Sequence, residues 1–414
     1  MGKVIHDDFL EKTEYQERQE KEKYQQEVTH MRERKTYERI GIDRTTLCNI
    51  KITAVNEALF DMTAELKGVE HNIDYEKRSP VVMENDGRGL SELLLDDEYI
   101  GKLQFKLIKD AQTGERKDVC TLAVSVNPNG SHNLLNSTAE QYHERIKAIF
   151  EYLEEEYGIV CDISEIEFQT METNATICLE HEYRTYEKAL LMINRNMPVQ
   201  WYGDGYAVKY ATWRSYIASV NLDTLETSSV RNHNREFKTY NKRQHLKDTC
   251  GISLEDNILR IEYKHLRKSA IADDFGSPCI WDITQKQVED VFMKYFIRDV
   301  IEPYDAWHEK NLEELYKSVL KHKRASKRWT SNFLRDCRNY EAVHGTPLLF
   351  DLKDMRGIFK RLEPKNGTNA SHRYRRFIDQ ATYEHDMIGH TEHINEIINK
   401  VAEMYSERTR KKAS

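Results

Sequence analysis

What the 414-residue chain lacks narrows its class. No apolar run approaches the ~18 residues that a membrane-spanning helix needs, so no transmembrane helix is expected. The opening residues, MGKVIHDDFLEKTEYQ, have no apolar stretch behind a basic head. That is not a secretory signal, and the expected compartment is the cytoplasm. The seven cysteines are odd in number and never stand in a CxxC spacing. This argues against a disulfide framework or a zinc knuckle, and for free thiols in a reducing compartment. No internal repeat is visible. An excess of positive charge is missing too, since the formal net charge is −8.

The charge is unevenly placed, however. Residues 231–268 hold ten Lys/Arg against five Asp/Glu, and residues 317–376 hold sixteen against five, leaving the rest strongly acidic. Segregation of this kind concentrates positive potential where a polyanion can sit, whatever the total.

Residues 1–44 are charged and Gln-rich, with too few apolar positions for a core-facing stripe, and are expected to be a helical or disordered leader. A second unit, 45–284, reads as strands with two crossing helices. Val119–Val126 is β-branched and closes on Asn127-Pro128-Asn129-Gly130. Ser137-Thr138-Ala139-Glu140 has the form of a capping box, and Gly158 ends the helix it opens. Ile163–Thr170 follows as a strand. After aromatic-rich strands at 200–220 come two more, Arg235–Tyr240 and Asn257–Leu266. From the capping box Thr284-Gln285-Lys286-Gln287 onward, residues 285–414 read as helices near 286–300, 308–322, 330–342, 351–362 and 371–403. The expected fold class is α+β, an antiparallel sheet covered by helices and followed by an all-α C-terminal domain.

Period-two alternation in the strands at 235–240 and 257–266 puts Phe237, Thr239, Leu259, Ile261 and Tyr263 on one face. If the strands are neighbours, the other face carries Lys238, Tyr240, Lys242, Arg260, Glu262 and Lys264. A phenol, a carboxylate and several cations suit phosphoryl transfer by a tyrosine nucleophile. Its proton must leave at an ordinary pKa of about 10, and a neighbouring ammonium such as Lys242 favours the phenolate. Glu262, with Glu167 or Glu165 from the earlier strand, can hold a hard divalent ion, which prefers oxygen.

Read in order, four segments resemble the gene II replication proteins of filamentous phages, members of the rolling-circle replication initiators. They are VCTLAVSVNPNGSHN, ISEIEFQ, FKTYNKRQHL and ILRIEYKHLRK. The resemblance implies a nicking domain in which Tyr240 cuts one strand at a phage or plasmid origin. That step leaves a 5′-phosphotyrosyl link and a free 3′-hydroxyl. It also implies Lys242 as a catalytic partner, Glu167 and Glu262 as ligands of Mg²⁺ or Mn²⁺, and Lys238, Arg260 and Lys264 as DNA contacts. DNA, as origin duplex and as single strand, is the expected partner, with a host helicase or polymerase beside it. The wider superfamily often holds its metal through His-hydrophobic-His, which is absent here; His132, His245 and His265 are the histidines that would assist.

In the helical region, Lys321, Lys323, Arg324, Lys327 and Arg328 form one basic run and Arg373, Arg375 and Arg376 another. Helices so charged are expected to meet the origin duplex. Two alternatives stand beside this reading. His372, Arg375, His390 and Tyr405 resemble the series of a tyrosine recombinase, though their spacing departs from that family. A non-enzymatic DNA-binding regulator using only the tail would make Tyr240 dispensable.

Overall fold

The computed structural model describes residues 38–54, 83–85, 88–97, 101–109, 116–117, 119–122, 137–196, 227–250, 255–325, 329–344, 348–362 and 390–411, with backbone only between 83 and 122. Ile40, Ile42, Leu47, Ile50 and Ile52 give a long first strand, β1 (Ile40–Ala54), one apolar face, kept in phase by bulges. This strand starts inside the expected leader, so the boundary at 44/45 is corrected. Arg39, Asp43 and Arg44 hide the alternation of Ile40 and Ile42 from a reading of charge.

Strands β2 (Met83–Asn85), β3 (Arg88–Asp97), β4 (Gly101–Lys109) and β5 (Arg116–Lys117) form a separate antiparallel sheet. The main sheet adds β6 (Val119–Leu122), β7 (Val160–Asp162), β8 (Glu167–Cys178), β9 (Thr227–Arg231), β10 (Arg235–Asn241) and β11 (Ile258–His265) to β1. Its order is β6-β1-β8-β11-β10-β9, all antiparallel, with β7 pairing to β1. The fold is α+β.

Helix α1 (Ala139–Tyr157) is capped one residue later than its sequence suggests. Thr138 accepts from the Gln141 N–H, and the Gln141 side chain accepts from the Thr138 N–H. Ser137 instead pairs its backbone with Ile42. Gly158, at φ +62°, ends the helix in the left-handed region where a side chain is strained. Next come α2 (Glu187–Arg195), α3 (Lys242–Cys250), which leaves β10 without a linker, and α4 (Lys268–Phe275). Helix α5 (Gln285–Phe296) opens on the expected Thr284/Gln287 box and passes through a π turn (Ile297–Ile301) into α6 (Glu302–Ala325). Helices α7 (Trp329–His344), α8 (Leu352–Leu362) and α9 (His390–Lys411) complete the described chain.

One face of the main sheet is sealed by helices. Phe168, Met171, Ala175, Phe237, Ile261 and Tyr263 share a core with Tyr142 and Ile146 of α1, Val288 and Phe292 of α5, and Ile397 and Val401 of α9. The expected boundary at 284/285 is therefore corrected: α5 and α9 belong to the sheet's own core. A second core, of Leu315, Val319, Phe333, Phe350, Met355 and Phe359, holds α6, α7 and α8 together. The expected strands at 200–220 and the turn at 127–130 lie outside the described residues.

Candidate active site

The face of the main sheet opposite this core carries the chemistry. β10 and β11 pair in the register Lys238↔Glu262 and Tyr240↔Arg260, as their alternation requires. β8 lies on the other side of β11, with Asn174 opposite Glu262 and Glu172 opposite Lys264. β1 flanks β8 and contributes Asp43. Four strands thus place Tyr240, Arg260, Glu262, Glu172, Asn174 and Asp43 side by side.

The Tyr240 hydroxyl donates to Glu262 Oε1 at 2.7 Å. Arg260, fully buried, ion-pairs through Nη1 with Asp43 Oδ2 at 2.9 Å and donates from Nε to Asn174 Oδ1 at 3.2 Å. Its Nε also stands 3.7 Å from Glu262 Oε1. Lys264 bonds Glu172 at 2.5 Å. The ring of Tyr240 lies 4.7 Å from the Lys238 ammonium, 5.7 Å from that of Lys242, and 5.3 Å from the His245 ring. Lys242 is only 2% exposed.

Asp43, Glu172 and Glu262 bring their carboxylate oxygens within 4.8 Å of one another, all buried. Burial and the neighbouring charges of Glu262 and Asp43 push the Glu172 carboxyl up to about 7 despite Lys264. Carboxylates this close repel when ionised, and a divalent cation relieves that repulsion. The donors are all oxygen, and the Asn174 carbonyl stands beside them. They fit a hard ion such as Mg²⁺ or Mn²⁺.

Burial, then Glu262, raises the Tyr240 phenol well above its ordinary value, while Arg260 opposes the shift. The expectation that Lys242 makes the phenol acidic is thus corrected. Lys242 is itself the perturbed group, pushed down to about 7 by burial and by Arg260. His245 is pushed down to about 4 by burial and the surrounding cations. It is therefore neutral at ordinary pH.

Two residues expected in the site sit elsewhere. Glu167 lies five residues before Glu172 on β8, beyond a register shift between Phe168 and Thr170 and roughly 16 Å along the strand at the usual rise. Its carboxylate is bonded by Lys268. Glu165 bonds Lys51 at 2.8 Å. Sequence alternation predicts a strand ending at Thr170, whereas β8 runs on through METNATIC. That stretch alternates Met171, Thr173, Ala175 and Ile177 against Glu172, Asn174 and Thr176, so Thr173 and Ala175 dilute the apolar face and the other face is wholly polar. Nothing in its composition announces a central strand; the detectable signal is Glu-x-Asn-x-Thr at period two.

Among the expected DNA contacts, Arg260 is a buried counter-ion and cannot meet a phosphate without rearrangement. Lys238 and Lys264 lie at the rim. Lys321 reaches Asp336 at 3.3 Å and is exposed. Lys323 and Arg324 belong to the last turn of α6. Lys327, Arg328, Arg373, Arg375 and Arg376 lie outside the described residues, as do His132 and His372. His265 bonds Asp274 at 2.9 Å on the helix-covered side, away from the acidic cluster. Tyr405 donates to Asp290 at 2.8 Å. Among the described residues no helix is long and apolar enough to cross a membrane.

No model of a known protein family matches the chain, and no curated protein matches it.

Proposed function

We propose that this chain is a DNA-nicking replication initiator of the rolling-circle type. One observation carries the reading: a buried tyrosine hydroxyl bonded to a carboxylate that is itself one of three crowded carboxylates. A tyrosine that only packs needs no such neighbours. Tyr240 Oη attacks the phosphorus of one origin strand and passes its proton to Glu262. A 5′-phosphotyrosyl bond forms, and a 3′-hydroxyl is released for a polymerase. Covalent capture conserves the bond energy for later rejoining. Mg²⁺ or Mn²⁺ held by Asp43, Glu172 and Glu262 would supply positive charge to the phosphate as its own charge shifts.

Lys238 and Lys264, at the rim, are the side chains placed to meet the strand's backbone. Arg260 keeps the ionised carboxylates tolerable in a buried setting. The basic helical segments beyond α5 are assigned to the origin duplex, with a host helicase or polymerase taking the released end. The order of the four segments that resemble gene II proteins supports the same assignment.

The test is incubation of the full chain with candidate origin oligonucleotides and supercoiled DNA in Mg²⁺ or Mn²⁺. Nicked product and an adduct mapping to Tyr240 are expected. Band shifts without cleavage would favour a non-enzymatic regulator, and an adduct on Tyr405 would favour a recombinase-like reaction.

A further inference from the structure

Resting on that reading, we propose that Lys242 is the acid that protonates the leaving 3′-oxygen when Tyr240 attacks. Tyr240 already has an acceptor for its own proton, Glu262 at 2.7 Å. What the reaction still lacks is a donor for the departing oxygen, which is a poor leaving group as an alkoxide.

Among the described residues, the basic side chains around Tyr240 are Arg260, His245, Lys238 and Lys242. Arg260 is engaged with Asp43 and Asn174, and a guanidinium does not release its proton in a protein. His245 is held neutral by burial and by the cations around it. Lys238 stands at the partly exposed rim, over the ring. Lys242 alone is buried beside the phenol with no ion-pair partner among the described residues, because the three carboxylates pair with Arg260 and Lys264. The charges acting on it are Arg260 and Arg44 against Asp43 and Glu262. Burial and Arg260 loosen its proton to about 7, so near neutrality the ammonium is both present and willing to give its proton up.

The step balances. The Tyr240 Oη–phosphorus bond forms and the phosphorus–O3′ bond breaks. The phenolic proton goes to Glu262, and a proton from Lys242 Nζ goes to O3′, giving the 3′-hydroxyl. In rejoining, neutral Lys242 takes that proton back.

The experiment compares an ordinary oligonucleotide with one carrying sulfur in place of the scissile 3′-oxygen, each in Mg²⁺ and in Mn²⁺. A thiolate departs without a proton. Lys242→Met is expected to slow cleavage of the oxygen substrate by about 100-fold or more and to cut the sulfur substrate at close to the wild-type rate. Lys242→Arg keeps the charge but cannot give up a proton, and is expected to behave like Lys242→Met. Tyr240→Phe should cut neither. Thermal unfolding of each variant checks that it is folded, and rescue on sulfur is itself proof of a folded site. Equal slowing on both substrates, or an active Lys242→Arg on oxygen, overturns the proposal while leaving the nicking reading intact. A wild-type chain that cuts neither substrate overturns both.

Discussion

Tyr240 and Glu262, on neighbouring strands and offset by two residues in register, are joined by a hydrogen bond of 2.7 Å that points the phenol at the acidic cluster. Removing that hydroxyl is the most direct probe of the site. Tyr240→Phe is expected to bind DNA as the parent does but to give no open circles and no covalent adduct. The loss of one buried hydrogen bond should cost only about 1 kcal/mol. Nicking by the folded variant would dismiss Tyr240 as the nucleophile.

The acidic cluster makes a prediction about metal. Asp43→Asn, Glu172→Gln and Glu262→Gln should each weaken Mn²⁺ binding, read by calorimetry. Glu167→Gln should not, because Glu167 is held by Lys268 at the far end of β8. If Glu167→Gln weakens binding as much as Glu172→Gln does, the ligand set is wrong.

The shift of Glu172 has a signature in pH. Its folded pKa is raised to about 7 from the ordinary 4.5, so between those values the folded state holds a proton that the unfolded state has released. Stability from this group is therefore lost as pH rises through that window. His245, depressed to about 4, acts in the opposite direction over part of the same range, so the wild-type curve alone mixes the two. The comparison that isolates Glu172 is with Glu172→Gln. In metal-free buffer, the variant's stability relative to wild type should grow from pH 4.5 to 7, measured by urea unfolding at each pH. Mn²⁺, by favouring the ionised carboxylate, should shrink the trend. A pH-independent difference would mean that Glu172 is ionised throughout.

Arg260 is fully buried among carboxylates. Arg260→Met leaves Asp43 and Glu262 without their cation and should destabilise the metal-free chain by about 3–5 kcal/mol. Added Mn²⁺ should restore part of that loss. Denaturant midpoints with and without the ion measure both effects, and a variant as stable as wild type would show that the pair contributes nothing net.

The last helix offers a test of the architecture. Ile397 and Val401 of α9 lie in the core under the main sheet, and Glu396 accepts from the Tyr186 hydroxyl. Ile397→Ala should lower the stability of the whole chain by about 2–5 kcal/mol. A fragment of 286–414 should fail to fold alone, since its α5 and α9 stripes would face water. A stable fragment would argue for an independent helical domain after all.

The strands β10 and β11 with their polar and apolar faces, and the helix starts at 139 and 285 to within a residue, are legible in the sequence alone. All of these are local, because alternation, capping and turn chemistry are written in neighbouring residues. Which carboxylates surround Tyr240 is not local. Asp43 and Glu172 come from strands whose charged or small residues carry no strong pattern. They meet Glu262 only because β1, β8 and β11 pair in one register. The same assembly turned Arg260 into a buried counter-ion and Lys242 into a weakly held proton, since desolvation and the sum of nearby charges exist only once the strands are in place. Tertiary structure also decided that α5 and α9 serve the sheet. An amphipathic stripe says that a helix must be covered, and only the packed chain says by what.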